Sequence, residues 1–317
     1  MRHYGFLFLS IVLNSSSYLS FAQDSDSTLL SQVETEMSFA DSLSIFNLID
    51  SLLQHAEIGG SQLAFRLTYN SNVMSTGRTL GIQNFGLSPG ISYYHKSGLY
   101  ADLSGYWSKD FDPSYYLTIA SIGYMRSFSD RFSLLAGYDR YFYRFEGDEY
   151  IPYSNALSIS PSLDFKTVSI SASYSFYFGD SKTHRIMPGI NFILEKKNFL
   201  NLDRIAVNPG FFMLFGDGIV TTLEYTPPKS VVEAVENFRK YGTRFGISVH
   251  DRNVFGIMNY AISIPITVNH KNWGFAFSYT YNVPKALPGE TLVLSESSYL
   301  SGSITYFIKF RRNKFTL

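Results

Sequence analysis

Six charged side chains fall on the small-polar phase of segments in which every second residue is apolar: Arg66, Asp102, Arg126, Asp164, Glu195 and Lys309. Each lies near the same end of its segment. Buried charges persist only when paired or wet, so three cations and three anions at one level read as a mutually neutralising belt. The chemistry open to such a belt is ion selection at a constriction, or a docking ring for a helix expected at residues 39–56. Nucleophilic or metal chemistry finds less support. The histidines are scattered: His95 and His270 fall at periplasmic ends, and His184 and His250, near the outer side, have no serine motif beside them at triad-like spacing. No HExxH, phosphate-cradling loop or dinucleotide glycine pattern is present. Asp217, between Gly216 and Gly218, offers one carboxylate, too few for calcium, and is expected in a turn. With no cysteine, disulfides, thiolate metal sites and a lipoprotein anchor are excluded. No cofactor or metal is expected. Lys+Arg equal Asp+Glu at 26 each, which gives no electrostatic case for nucleic acid.

The elements that must position these charges are strands. Residues 155–178 show the unit most clearly. Leu157, Ile159, Pro161, Leu163 and Phe165 alternate with Ser158, Ser160, Ser162 and Asp164; then Val168, Ile170, Ala172, Tyr174, Phe176 and Phe178 alternate with four serines. Period two puts one greasy and one small polar face on each arm. Each arm is long enough to cross a bilayer at the usual tilt, which takes about 9–11 residues. The unit recurs at 62–71, 85–95, 99–108, 114–126, 131–143, 184–195, 205–215, 254–268, 273–282 and 298–311. Connections alternate long and short, as in barrels with short periplasmic turns and longer outer loops. With 17 % aromatic and only 16 % charged residues, the composition suits lipid outside and a polar lumen inside. The fold expected is therefore all-β: a transmembrane antiparallel up-and-down barrel of twelve strands at 61–311. Two short β-like pieces, 219–225 and 243–250, flank a helical stretch at 230–241. Counting both as crossings would give fourteen strands; taking 216–253 as an outer loop gives twelve. Pro89, Pro161, Pro188, Pro209 and Pro265 fall inside strands and call for bulges.

Before the barrel, residues 1–22 read as a signal peptide: Arg2 and His3, an apolar run Phe6–Leu13, and Ser20-Phe21-Ala22 before Gln23. Residues 23–60 read as a periplasmic segment with a short amphipathic helix at 39–56, from apolar residues three and four apart and a Gly59–Gly60 stop. Residues 312–317 are a tail.

The leader, the aromatic-rich alternating strands and the last strand, Gly302–Phe310, resemble outer-membrane barrels of Gram-negative bacteria, of the Bacteroidota type. The resemblance implies that Gly302, Tyr306, Ile308 and Phe310 are read by the barrel-assembly machinery, and that outer-membrane lipids surround the chain. Barrel lipid hydrolases are similar but carry a Ser–His couple on the lipid-facing wall near the outer rim. The function expected is a porin-like channel or transporter for small polar solutes. A non-conducting scaffold or receptor using the outer loops is the alternative, with a lipid hydrolase third.

Overall fold

The computed structural model describes residues 60–72, 86–109, 111–144, 153–290 and 294–310. The expected signal peptide, the 39–56 helix, most of the 72–84 and 144–154 connections and the 312–317 tail lie outside the described residues.

Alternation becomes a ladder of antiparallel strands: β1 (Gln62–Asn70), β2 (Gly86–Tyr94), β3 (Leu99–Trp107), β4 (Tyr115–Ser127), β5 (Phe132–Tyr143), β6 (Asn155–Phe165), β7 (Val168–Phe178), β8 (Lys182–Phe192), β9 (Leu194–Phe199), β10 (Leu202–Val207), β11 (Gly210–Thr226), β12 (Gly246–His270), β13 (Trp273–Pro284) and β14 (Ser297–Lys309). Neighbours in sequence pair from β1 to β8, and β14 pairs with β1. β9 pairs with β10 while β8 pairs with β11, so β8–β9 and β10–β11 are each one wall strand with a short interruption. The β11–β12 pairing closes the ring, and fourteen segments make twelve wall strands. Closure leaves no free edge, which a sheet in hydrocarbon requires.

The ambiguous 216–253 segment is not a loop, as the twelve-strand reading had it, nor a further pair of crossings. Gly216–Thr226 and Gly246–Gly256 continue the β11 and β12 ladder as far as Thr226 opposite Gly246. The β-like pieces lengthen existing strands into a hairpin that runs past the rest of the wall. At its tip is the one helix among the described residues, α1 (Val231–Tyr241). Ser230 caps it by accepting from the Glu233 N–H, and Gly242, at φ 68°, ends it in the left-handed conformation. It is far too short to span a bilayer.

The prolines do not produce the expected bulges. Register holds through Pro89, Pro161 and Pro188 on one side of each strand. On the other side pairing lapses locally and resumes in phase. Backbone groups of one residue point to one neighbour, so a missing N–H opens one ladder and leaves the other intact. Pro209 and Pro265 sit at the β10–β11 interruption, where their carbonyls accept from Phe192 N–H and Asn208 N–H. The register shifts that do occur are at Tyr106/Trp107 against β4 and at Leu214/Phe215 against β12.

The outer face is apolar and open. Leu67, Leu103, Ile122, Ile159, Ile170, Phe277 and Ile304 are all exposed on it. Towards the end that carries the short turns, aromatic rings gather: Trp273 lies 4.8 Å from Tyr306, and Tyr93 6.5 Å from Phe310. Such a girdle is what a membrane interface selects.

Candidate functional site

The inward face carries many small polar residues, most densely on β1, β2, β6, β7, β13 and β14. Hydroxyls and amides pair across it: Ser133 with Ser162 at 2.5 Å, Ser160 with Ser173 at 3.0 Å, Ser278 with Ser301 at 2.7 Å, Ser263 with Thr280 at 3.0 Å, and Asn259 Nδ2 donates to Asn282 Oδ1 at 2.9 Å. These cross-strand pairs satisfy groups that would be costly against lipid. A lumenal cavity of about 30 Å³ is lined by Thr68, Thr267, Asn269, Ser278, Ser301 and Thr305 among others. Apolar residues also face inward, in a tyrosine-rich cluster around Tyr106, Tyr116, Ile119 and Tyr141 and in a second around Phe212, Leu214 and Met258.

Four large inward side chains stand directly opposite a glycine on a neighbouring strand. Arg66 faces Gly90, Tyr100 faces Gly123, and Arg185 faces Gly216. Phe212 faces Gly189 in the same way. A Cβ on those glycines would lie 2.9 Å from Arg66 Nη2, 2.5 Å from the Tyr100 ring, 2.6 Å from Arg185 Nη1 and 2.4 Å from the Phe212 ring. The long side chains therefore lie flat along the wall over the glycine, and do not stand across the lumen.

The six charges of the expected belt are not one ring. Arg66 and Asp102 come together in the wall, with Arg66 Nη2 3.2 Å from Asp102 Oδ1 and 2.7 Å from Ser104 Oγ. Ser92 and Ser104 hydroxyls donate to the two oxygens of the same carboxylate. The pair is 10 % and 15 % exposed, so its Coulomb term is little screened. Glu195 stands apart from it, accepting from Arg204 Nε at 2.8 Å with Lys197 Nζ 3.8 Å away. Asp164, opposite Ser169, and Lys309, opposite Gln62, occupy inward positions at the short-turn end.

Arg126 is a correction. It shares a face with Ile122 and Tyr124, donates to the Tyr124 hydroxyl at 3.2 Å and lies over the Phe128 ring, exposed on the outer side. The β4 strand has apolar residues on both faces, since Leu117 and Ile119 turn inward into the tyrosine cluster, and period two alone cannot choose between them. At a girdle position the guanidinium reaches the interface while its stem stays in apolar surroundings.

Several inward charges escaped the sequence reading. Arg185 donates through Nη1 to Thr183 Oγ1 at 2.6 Å and to the Asp217 carbonyl at 2.6 Å. Asp217 is no turn residue; it sits within β11, where its carboxylate accepts from His184 N–H and Thr183 Oγ1. Arg204 is buried opposite Asn269, and Asp139 faces inward opposite Ser121. The faint signal for Arg185 and Arg204 was their place on alternating segments, masked by lysines and prolines nearby.

The histidines are placed as wall and turn residues. His184 shares a 2.8 Å hydrogen bond with the Tyr174 hydroxyl and stacks on Phe176, and His250 pairs with Glu224. His95 does meet a serine, Ser97 Oγ at 2.8 Å, but its Nδ1 also accepts the Ser97 N–H within one tight turn. Among the described residues no cluster of His, Asp or Glu could hold a metal ion.

A closed twelve-strand barrel with a lipid-compatible exterior, an aromatic girdle and a polar interior is an integral membrane barrel of the outer-membrane type. No protein-family model and no curated protein matches the chain. Among solved structures it is similar to the KdgM porin, at 10 % identity and a TM-score of 0.42 over 77 % of this chain and 98 % of that one. It is also similar to the NanC porin, at 9 % identity and a TM-score of 0.40 over 77 % and 98 %. A third likeness is to the translocator domain of the autotransporter NalP from Neisseria meningitidis, at 10 % identity and a TM-score of 0.37 over 86 % and 98 %. These likenesses are of barrel outline only, and none identifies a cargo.

Proposed function

We propose that the chain is a porin-like channel for small polar solutes in the outer membrane of a Gram-negative, Bacteroidota-type cell, and not an enzyme. The observation that carries this reading is the glycine opposite each of Arg66, Tyr100, Arg185 and Phe212, which lets these four bulky inward side chains lie along the wall. A barrel that needed only a solid core would fill it with them. The outward residues Gly302, Tyr306 and Ile308 on β14, which pairs with β1, and Phe310 just past its end support the assembly-signal reading; Gly302 stands opposite Tyr69 and Tyr306 opposite Phe65. Lipid and the barrel-assembly machinery are then its partners.

Planar bilayers test the pore directly. The refolded full chain is expected to give stepwise conductance, and Gly90→Val, which drives the Arg66 guanidinium off the wall, is expected to lower the step size. Silence from a chain shown to be folded would sink the channel. A steady step size in Gly90→Val would remove the glycine argument.

A second reading, a receptor or scaffold, draws on the long hairpin. On α1, Val231, Val232, Val235 and Phe238 are all exposed, Val231 at 81 %. Such a row beyond the wall is suited to a partner. Replacing 227–245 by Asn-Gly is expected to leave conductance within about twofold, because tips tolerate such changes. Lost conductance in a folded deletion variant would mean that the wall alone does not make the pore.

A further inference from the structure

Three wall carboxylates are matched by a cation: Asp102 by Arg66, Asp217 by Arg185 and Glu195 by Arg204. Asp139 on β5 has no salt bridge among the described residues. Its sequence neighbour Arg140 points outward, where it donates to Ser154 Oγ and Asn155 Oδ1. Asp139 stands opposite Ser121 on β4, and across from it on β6 stands only the methyl of Ala156.

Tyrosines surround this carboxylate. The Tyr100 ring lies over Gly123 and brings its hydroxyl beside Gly137, where a Cβ would be 2.7 Å from it. Gly137 and Tyr141 flank Asp139 on the same face of β5, and Tyr177 stands behind Ala156 on β7. The Tyr141 hydroxyl is buried, in a residue 3 % exposed, and has no hydrogen-bond partner. An uncompensated carboxylate beside an orphaned phenol oxygen and aromatic rings lacks one thing, a positive charge that donates protons. One carboxylate is too few for a divalent cation, which takes about six or more oxygens as calcium. Aromatic faces favour an ammonium group.

We propose that Asp139, with Tyr100, Tyr141 and Tyr177, forms a station for a small monovalent organic ammonium ion. That the ion is in transit rests on the channel reading; that it binds does not.

The test uses the refolded full chain and methylammonium chloride in two measurements. In saturation-transfer NMR, tyrosine-ring protons are expected to pass magnetisation to the methylammonium methyl group. That transfer is expected to vanish in Asp139→Asn, to weaken in Tyr141→Phe and to persist in Asp164→Asn. In bilayers under a methylammonium chloride gradient, the wild-type reversal potential is expected on the cation-selective side. Asp139→Asn is expected to cut the cation-to-anion permeability ratio by about threefold or more, as the loss of a close charge in a poorly screened site requires. Equal NMR transfer in wild type and Asp139→Asn overturns the station, whatever the bilayers show. Conductance with an unchanged ratio overturns it as a selectivity element and leaves the channel standing. Silent bilayers with Asp139-dependent transfer remove the channel and keep the binding site.

Discussion

Arg66→Leu is expected to destabilise the folded barrel by about 3 kcal/mol, the low end for removing one partner of a buried ion pair, because a lumen admits some water. Arg66 holds Asp102 at 3.2 Å, and the two serine hydroxyls that serve the same carboxylate cannot neutralise it. Left alone, Asp102 keeps its charge at a desolvation cost or takes up a proton. The double variant Arg66→Leu/Asp102→Leu is expected to recover most of the loss, since an apolar pair of similar volume often equals a buried ion pair. Urea titration of folding into lipid vesicles measures both. If the single variant falls within about 1 kcal/mol of wild type, the pair is a wet surface pair worth that little, and its place as a wall element fails.

Ile122→Arg is expected to cost about 2–4 kcal/mol, the range for Arg on the lipid face of a barrel near the midplane. Ile122 is 61 % exposed on the outer face of β4, so the side chain has lipid and not protein around it. Ser171→Lys, inward on β7 opposite Ser162 and Gly189, is expected to change stability by less than about 1 kcal/mol and to act on selectivity instead. The same vesicle titration reads both. A larger cost for Ser171→Lys than for Ile122→Arg would show that the faces have been assigned the wrong way round.

How much was legible depends on the residues. On β6 and β7 serine alternates with Leu, Ile, Tyr and Phe, so contrast between faces was high and both phase and length could be read directly. Phase was not legible on β4, where Leu117 and Ile119 face the lumen among tyrosines and Ile122 faces lipid. Arg126 went to the wrong face for that reason. Asp139 was missed for a related one: β5 carries tyrosine on both faces, Tyr138 outward and Tyr141 inward, so its alternation has almost no polarity contrast.

Sequence alone determined the repeated strand and its two-residue period, which are properties of chain stretches a dozen residues long; the choice between twelve and fourteen crossings was settled by the β11–β12 pairing. Only the tertiary structure decided which cation meets which carboxylate. Arg66 and Asp102 are 36 residues apart, and Arg185 and Asp217 are 32 apart; each pair forms because registers along intervening strands bring it to one level. The same holds for the glycines opposite Arg66, Tyr100, Arg185 and Phe212. Register is a sum over neighbours, settled only when the ring closes, and no single stretch contains it.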